Sequence, residues 1–187
     1  MRLPQTNLNK TVALWVCGAL PVLAGSVAMR APDHQPDLSL WDASMKPQKL
    51  SQYRGKIVVL NFWATWCEPC KTELPMLVDE QEHYRGRGVI VIGASLDDAS
   101  TVKKVRPFAK KEKLNFPVWI GATVDHLEKL GLGQAIPATA FFDREGNLVG
   151  RVMGELRQPE LEHRIEWLLG NRQGTAPQPL VNNLSPE

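Results

Sequence analysis

The sequence predicts an α/β fold in which helices flank a mixed central sheet. Two observations support this prediction: strands alternate with helices along residues 56–130, and a later hairpin is followed by one more helix. Alternating strands and helices favour parallel neighbours in a sheet, and a hairpin adds antiparallel ones. With 187 residues, of which 43% are hydrophobic and 22% charged, the chain has the composition of one globular domain, or two at most.

The first elements follow from simple patterns. Residues 37–50 carry two short apolar patches separated by polar residues, which indicates an edge hairpin at the N-terminal side of the domain. Residues 56–64 are a continuous run rich in β-branched and aromatic residues, typical of a central strand buried on both faces. A helical pattern follows Cys67 and is broken at Gly86.

The middle of the chain repeats the alternation. Residues 89–95 predict a second buried strand, and residues 99–114 a helix interrupted by Pro107. Residues 116–120 then predict a third strand, and residues 124–130 a short helix.

The last part of the body predicts a hairpin and a final helix. Residues 138–143 and 148–153 flank a polar turn that contains glycine, as expected of an antiparallel hairpin. Pro159 marks the start of the last helix and Gly170 its end. Residues 171–187 are rich in Asn, Pro and Gln, and we expect a disordered tail without chemistry there.

Residues 1–30 resemble a targeting segment. Arg2 and Lys10 precede an uncharged stretch of 19 residues at 11–29, which ends in small residues. This order is typical of a signal peptide, yet the stretch is also close to the ~20 residues that span a bilayer, so a membrane anchor stays open. In either case we expect the domain at residues 37–170 to lie outside the cytoplasm, in the periplasm or facing it from the membrane.

The charge distribution argues against nucleic-acid binding. Of the 22 Lys and Arg residues, three lie in residues 1–30, where no acid occurs, which leaves 19 against 20 Asp and Glu in the rest of the chain. A protein that binds nucleic acid needs a basic surplus to displace counterions. We therefore expect no nucleic-acid partner.

Two of the three cysteines carry the chemistry. Cys17 lies in the predicted targeting segment, residues 1–30, which we call the leader. Cys67 and Cys70 form a C-x-x-C motif between a buried strand and a helix. The first turn of a helix favours an anion, so it stabilises the thiolate of Cys67. Half a zinc site is the competing interpretation, but the sequence has no second C-x-x-C or H-x-x-x-H pair to complete it. We expect redox chemistry, with no metal.

These motifs resemble a known family. Residues 61–75, N-F-W-A-T-W-C-E-P-C-K-T-E-L-P, closely resemble the active-site segment of thioredoxin-like proteins, as do residues 53–56 and 136–143. The segment is most similar to the exported TlpA/ResA/DsbE group of thiol:disulfide oxidoreductases. The resemblance implies a thioredoxin-like fold with an insertion around residues 99–120 and a dithiol-disulfide activity.

The resemblance also implies roles for individual residues. Cys67 would be the exposed nucleophile and Cys70 the buried resolving thiol, and together they would form the redox-active disulfide without any other cofactor. Pro137 would be a cis-proline whose loop faces the cysteines. Trp66, Ile136 and Pro137 would then contact the substrate.

The chain departs from the family pattern at two positions. Asn61 stands where thioredoxins place a buried aspartate. Glu73 lies one helical turn after Cys70, so we expect it to act as the general base of Cys70 instead. Ala138 follows Pro137, where members acting in cytochrome maturation often carry Glu.

The substrates and partners are predicted from the same features. Glu68, between the cysteines, disfavours a second negative charge on Cys67, and this predicts a reductant. Its partners would be disulfides of exported proteins, with apocytochrome c among the candidates, and a membrane thiol-electron donor.

Two other functions stay open at this stage. A peroxiredoxin-like thiol peroxidase would need the signature P-x-x-x-[TS]-x-x-C, but Leu60 and Ala64 occupy its Pro and Thr positions. The third alternative is a metal-binding chaperone without enzymatic activity.

Overall fold

The computed structural model describes Met1 and residues 37–184. The predicted leader therefore lies, apart from Met1, outside the described residues, as do residues 185–187. Among the helices formed by residues 37–184, none is long and apolar enough to cross a membrane.

The described residues form one mixed eight-stranded sheet with four α-helices, which confirms the predicted fold class. The strands are β1 (Ser39–Asp42), β2 (Pro47–Lys49), β3 (Ile57–Trp63), β4 (Val89–Ser95), β5 (Val118–Ile120), β6 (Ala138–Phe142), β7 (Leu148–Gly154) and β8 (Leu180–Asn183). The helices are α1 (Glu68–His83), α2 (Val105–Lys111), α3 (Val124–Lys129) and α4 (Gln158–Leu169). Short 3₁₀ turns occupy Leu50–Tyr53 and Val102–Lys104.

Strand β3 lies in the middle of the sheet, whose spatial order is β2-β1-β5-β4-β3-β6-β7-β8. It pairs with β4 in parallel and with β6 in antiparallel orientation. The predicted hairpins are present as the antiparallel pairs β1–β2 and β6–β7.

The sheet separates two hydrophobic cores. Successive side chains of β3 point to opposite faces, so Val59 and Trp63 enter one core while Leu60 and Phe62 enter the other. Helices α1 and α4 cover the first core and helix α3 the second, through apolar side chains that include Leu74, Leu77, Leu161 and Ile165 on one face and Leu127 on the other. The burial of β3 on both faces explains its unbroken apolar run.

The helix predicted at residues 99–114 begins later than its pattern indicates. The Asp98 carboxylate accepts hydrogen bonds from the backbone N–H groups of Ser100 and Thr101, which holds this stretch in a turn, and α2 starts only at Val105. Pro107 is the third residue of α2 rather than an interruption. Because the first helical turn has no N–H bonds to lose, proline is tolerated there.

The C-terminal segment also differs from the expectation of a disordered tail at residues 171–187. Leu180–Asn183 form strand β8, which pairs in parallel with β7 from Arg151 to Gly154. The backbone N–H of Arg151 already donates to the carbonyl of Pro179, at 2.9 Å. Strand β8 satisfies backbone groups along the edge of β7, and an edge accepts a strand of almost any composition. Composition alone therefore could not indicate it.

Candidate active site

Cys67 and Cys70 lie where strand β3 gives way to helix α1. Cys67 is the N-cap of α1, and its Sγ accepts a hydrogen bond from the backbone N–H of Cys70, at 3.3 Å. The two cysteines form a disulfide with their Cα atoms 5.3 Å apart. Cys67 is 5% exposed and Cys70 is fully buried, so Cys67 is the cysteine of the pair that an incoming molecule can reach.

The loop before β6 faces this disulfide. The Ile136–Pro137 peptide bond is cis, and the carbonyl oxygen of Ile136 lies 3.9 Å from Cys67 Sγ. The structure thus brings together the C-x-x-C motif and the proline loop, two segments about 70 positions apart in the sequence. Pro137 itself is buried, whereas Ile136 is half-buried at the surface of the site.

An apolar groove of about 540 Å³ reaches the proline loop at Ile136 and the residue before Cys67 at Trp66. We call it the apolar groove and define it by Trp41, Met45, Trp66, Ile120, Val124 and Ile136, which line it. Trp66 is 57% exposed although it directly precedes the buried Cys67. An exposed tryptophan on the rim of an apolar depression is typical of a contact surface for another molecule.

Glu73 is the most unusual charged residue of the site. It lies on the buried side of α1, one turn beyond Cys70, and is only 2% exposed. Its Oε1 accepts a hydrogen bond from Asn61 Nδ2 at 2.6 Å, and its Oε2 accepts one from the backbone N–H of Leu156 at 2.8 Å. Burial raises the pKa of Glu73 to about 7; the two hydrogen bonds act in the opposite direction, and the negative charge of Glu155 adds to the rise. A carboxyl group with this pKa can exchange a proton near neutrality.

Asn61, on the central strand β3, binds the carboxyl group of Glu73 on helix α1. It has the same parity along β3 as Val59 and Trp63, so its side chain points toward α1. Its Nδ2 donates both to Glu73 and to Thr139 Oγ1, the second at 3.1 Å. The amide therefore binds the carboxylate of Glu73 from the position where the family pattern has an acid of its own.

A second buried carboxylate supports the loop before Cys67. Asp97 lies two residues beyond Ser95, the last residue of β4. It accepts hydrogen bonds from the backbone N–H of Thr65 at 2.8 Å and from Thr65 Oγ1 at 2.5 Å. Ser95 Oγ also donates to Asp97, at 2.7 Å. Asp97 is not among the predicted site residues, although the carboxyl ends of the parallel strands β3 and β4 must meet at one edge of the sheet. That rule could have indicated it.

Two predicted alternatives can be compared with this geometry. Leu60 and Ala64, at the peroxidase signature positions, are fully buried and apolar. The neighbouring hydroxyl, that of Thr65, donates to Asp97. Within residues 37–184, no cluster of three or more His, Cys, Asp or Glu side chains could hold a metal ion.

Comparisons with known proteins agree with the disulfide site. Residues 31–151 match the model of the AhpC/TSA family. The chain belongs to the AhpC/TSA family. It is 31% identical over 137 residues to the thiol-disulfide oxidoreductase ResA of Bacillus subtilis, which covers 73% of this chain and 75% of that protein. The ResA of Bacillus cereus is 31% identical over 161 residues, covering 83% of this chain and 91% of its own length.

A solved structure also resembles this member of the AhpC/TSA family. The crystal structure of a Chlorobium tepidum protein assigned as thiol:disulfide interchange protein DsbE superposes with a TM-score of 0.66 at 27% identity. The superposition covers 74% of this chain and 97% of that one. The protein is thus a thioredoxin-like thiol-disulfide oxidoreductase of the ResA/DsbE type, with Cys67 and Cys70 as its cysteine pair.

The buried Glu73 makes stability depend on pH. Its pKa is 4.5 ordinarily and about 7 in the folded protein, so between these values the folded chain holds a proton that the unfolded chain has lost. Stability therefore falls as the pH rises through this window, by about 3 kcal/mol from this group. We expect the free energy of unfolding of the oxidised protein, measured with denaturant from pH 4.5 to 8, to decline more steeply than that of Glu73→Gln. Parallel curves for the two proteins would contradict the buried, proton-binding state of Glu73.

Proposed function

We propose that this oxidoreductase reduces disulfide bonds of exported proteins outside the cytoplasm, with Cys67 as nucleophile, Cys70 as resolving thiol and Glu73 as proton acceptor. The observation that carries the proposal is the placement of a buried carboxyl group, with a pKa of about 7, on the helix face that also holds Cys70. A buried acid with a shifted pKa beside a reactive pair is typical of acid–base catalysis.

The first step is an exchange at Cys67. Its thiolate attacks one sulfur of the substrate disulfide, so a Cys67–substrate bond forms, the substrate S–S bond breaks, and one substrate thiolate leaves. The N-terminus of α1 supports the anion, because Cys67 is its N-cap and the helix dipole is positive there. The backbone N–H of Cys70, which already points at Cys67 Sγ, adds a direct hydrogen bond.

The second step is resolution by Cys70. Its thiol transfers a proton to the Glu73 carboxylate, and the resulting thiolate attacks the sulfur of Cys67. The Cys67–Cys70 disulfide forms, the mixed disulfide breaks, and the second substrate thiolate leaves, so two electrons pass to the substrate. Cys70 is fully buried, and a buried thiol resists ionisation unless a base accepts its proton. The disulfide in the structure is the state reached after this step.

The substrate binds along the proline loop and the apolar groove. The carbonyl oxygen of Ile136, next to Pro137, lies 3.9 Å from Cys67 Sγ, and Trp66 and Ile136 line the groove. A peptide whose disulfide reaches Cys67 therefore places its neighbouring side chains over an apolar surface. No cofactor beyond the Cys67–Cys70 pair takes part in this scheme.

Glu68 alone does not explain why the cysteine pair would act as a reductant. Glu68 is exposed and pairs with Lys71 Nζ at 2.6 Å, so solvent and the lysine weaken its effect on Cys67. Glu73 is the better source: above its pKa of about 7 it places a buried negative charge near the pair, and like charge disfavours a thiolate. A destabilised thiolate favours the disulfide and makes the dithiol a reductant.

The location and the partners follow from the leader and the charge. The uncharged stretch at residues 11–29 after Arg2 and Lys10 favours export or membrane attachment with the domain outside the cytoplasm. A reductant there needs a supply of electrons, for which we propose a membrane thiol-electron donor. Its substrates are disulfide-containing exported proteins, apocytochrome c among them, and nucleic acid is not a partner.

The roles of the two cysteines can be separated by alkylation. In a Cys17→Ala background, Cys67→Ala should abolish disulfide reduction, whereas Cys70→Ala should retain one thiol that iodoacetamide modifies readily near neutral pH, because Cys67 lies at the helix N-terminus. Cys70→Ser should also accumulate mixed disulfides with its partners, which identifies them. A reactive thiol in Cys67→Ala and an inert one in Cys70→Ala would reverse the assignment.

The redox potential tests the direction of the reaction. We expect equilibration with glutathione to leave the Cys67–Cys70 disulfide difficult to reduce, with a potential nearer the roughly −270 mV of thioredoxin than the roughly −120 mV of a strong oxidant. Glu73→Gln, which removes the buried charge, should move the potential in the oxidising direction. A wild-type value above about −180 mV would exclude a reductant.

The role of Glu73 is tested by the pH dependence of turnover. Glu73→Gln keeps the size of the side chain but cannot accept a proton, so resolution by Cys70 should slow. General bases contribute ~10²–10⁴-fold, and we expect the low end because a thiol ionises more readily than a hydroxyl. The measurement is model-disulfide reduction from pH 5 to 9 for both proteins, with Glu68→Gln as an exposed control that should follow the wild type. Superimposed profiles for the wild type and Glu73→Gln would remove Glu73 from the mechanism.

A further inference from the structure

The C-terminal strand contacts the peptide group that binds Glu73. The backbone N–H of Leu156 donates to Glu73 Oε2 at 2.8 Å. The carbonyl at the other end of that peptide group is the oxygen of Glu155, and it accepts a hydrogen bond from Asn183 Nδ2 at 2.9 Å. Asn183 and Glu73 thus hold opposite ends of the same peptide unit.

The rigidity of the peptide bond links these two contacts. The C=O and N–H of a peptide unit lie in one plane and point in opposite directions. Fixing the carbonyl of Glu155 therefore also fixes the direction in which Leu156 presents its N–H. Hydrogen bonds in a chain polarise one another, so donation from Asn183 also strengthens the bond that Glu73 receives.

Strand β8 is seated closely enough to hold Asn183 in place. Asn183 pairs with Gly154 in the register of β7 and β8. Gly154 has a φ of +85°, and a Cβ atom built there would lie 2.6 Å from the carbonyl carbon of Asn183. Only glycine permits this approach. The N–H of Gly154 donates to the carbonyl of Pro137 at 2.9 Å, so the same short segment, residues 154–156, adjoins the proline loop as well as Glu73.

We propose that Asn183 is a positioning residue for Glu73: it orients the Glu155–Leu156 peptide group and thereby holds the carboxyl group beside Cys70. The C-terminal segment then contributes to the site although it lies outside the family match at residues 31–151. The effect of Asn183 on the exchange reaction rests on the proposed function. Its effect on the position of the Glu73 carboxyl group does not.

The charges around both groups determine the direction of the expected effect. Burial and the negative charge of Glu155 raise the pKa of Glu73, while the bonds from Leu156 and Asn61 lower it. Asn183 Nδ2 also lies 3.4 Å from Glu160 Oε2, and Glu160 is paired with the buried Arg164. Loss of the Asn183 amide adds no charge at this position. Without the Asn183 amide, the hydrogen bond from Leu156 to the carboxylate weakens, so the pKa of Glu73 rises above its value of about 7.

The test is a direct titration of Glu73 in the oxidised, full-length protein. The carboxyl carbon of Glu73 is followed by NMR from pH 5 to 9 in the wild type, Asn183→Ala and Asn183→Leu. Asn182→Ala is the matched control, because Asn182 lies next to Asn183 in β8 but is exposed and accepts from Leu184 N–H. We expect the midpoint to rise by about 0.5–1 pH unit in both Asn183 variants and to stay at the wild-type value in Asn182→Ala.

Two results would overturn the inference. One is an unchanged midpoint in both Asn183 variants. The other is an equal rise in Asn182→Ala, which would mean that β8 acts by its presence and not through the Asn183 amide. The leucine variant keeps the approximate size of the side chain, and a thermal unfolding curve for each protein shows that the comparison is made between folded states.

The reaction is then measured separately, so that the two proposals can fail independently. If Glu73 is the proton acceptor, the pH profile of disulfide reduction should move with the NMR midpoint in Asn183→Ala, and the Asn183→Ala/Glu73→Gln double variant should behave as Glu73→Gln alone. A midpoint that rises while Glu73→Gln leaves the reaction unchanged would refute the role of Glu73 in catalysis and retain the positioning by Asn183.

Discussion

The buried contact between the Glu73 carboxyl group and the Asn61 amide is the constraint on which the rest of the site depends. A carboxylate withdrawn from water is costly unless hydrogen bonds replace those it had with solvent. Here one bond comes from the central strand β3 and one from the loop after β7. Helix α1 can therefore pack on the sheet only in the register that brings these donors to Glu73. A slip of β3 by one residue would direct Leu60 or Phe62 at the carboxyl group instead.

Because residue 61 is an amide, Glu73 faces no second carboxyl group across the contact between β3 and α1. Two carboxyl groups facing each other would share a proton and titrate as a coupled pair. Asn61 cannot ionise, and it can serve both states of Glu73. Its Nδ2 donates to the carboxylate, and its Oδ1, which is buried without a hydrogen-bond partner in the structure, becomes an acceptor for the protonated acid if the amide rotates. The same rotation would break the bonds that Nδ2 donates to Glu73 and Thr139, so the two protonation states of Glu73 correspond to two orientations of the Asn61 amide.

The parts of this site that depend on local sequence were predictable. The apolar run of β3, the helix after Cys67 and the i, i+3 relation between Cys70 and Glu73 can be inferred from neighbouring residues. The unpredictable parts are long-range contacts of the backbone. Leu156 contributes only its N–H, which every residue except proline has, so its side chain gives no indication of its role. Strand β8 could not be predicted either. It forms because the edge of β7 offers backbone groups for pairing, and its own composition does not indicate this.

The near-complete enclosure of both sulfurs restricts the shape of what can react. With 5% of Cys67 exposed and Cys70 fully buried, a disulfide must protrude from its own surroundings to align with the sulfur of Cys67, because exchange needs an unobstructed approach along the S–S axis. A bridge inside a folded, rigid domain does not meet this condition, whereas one in an extended chain does. The enclosure therefore favours approach by a disulfide in an extended chain over approach by one that is buried in a folded domain.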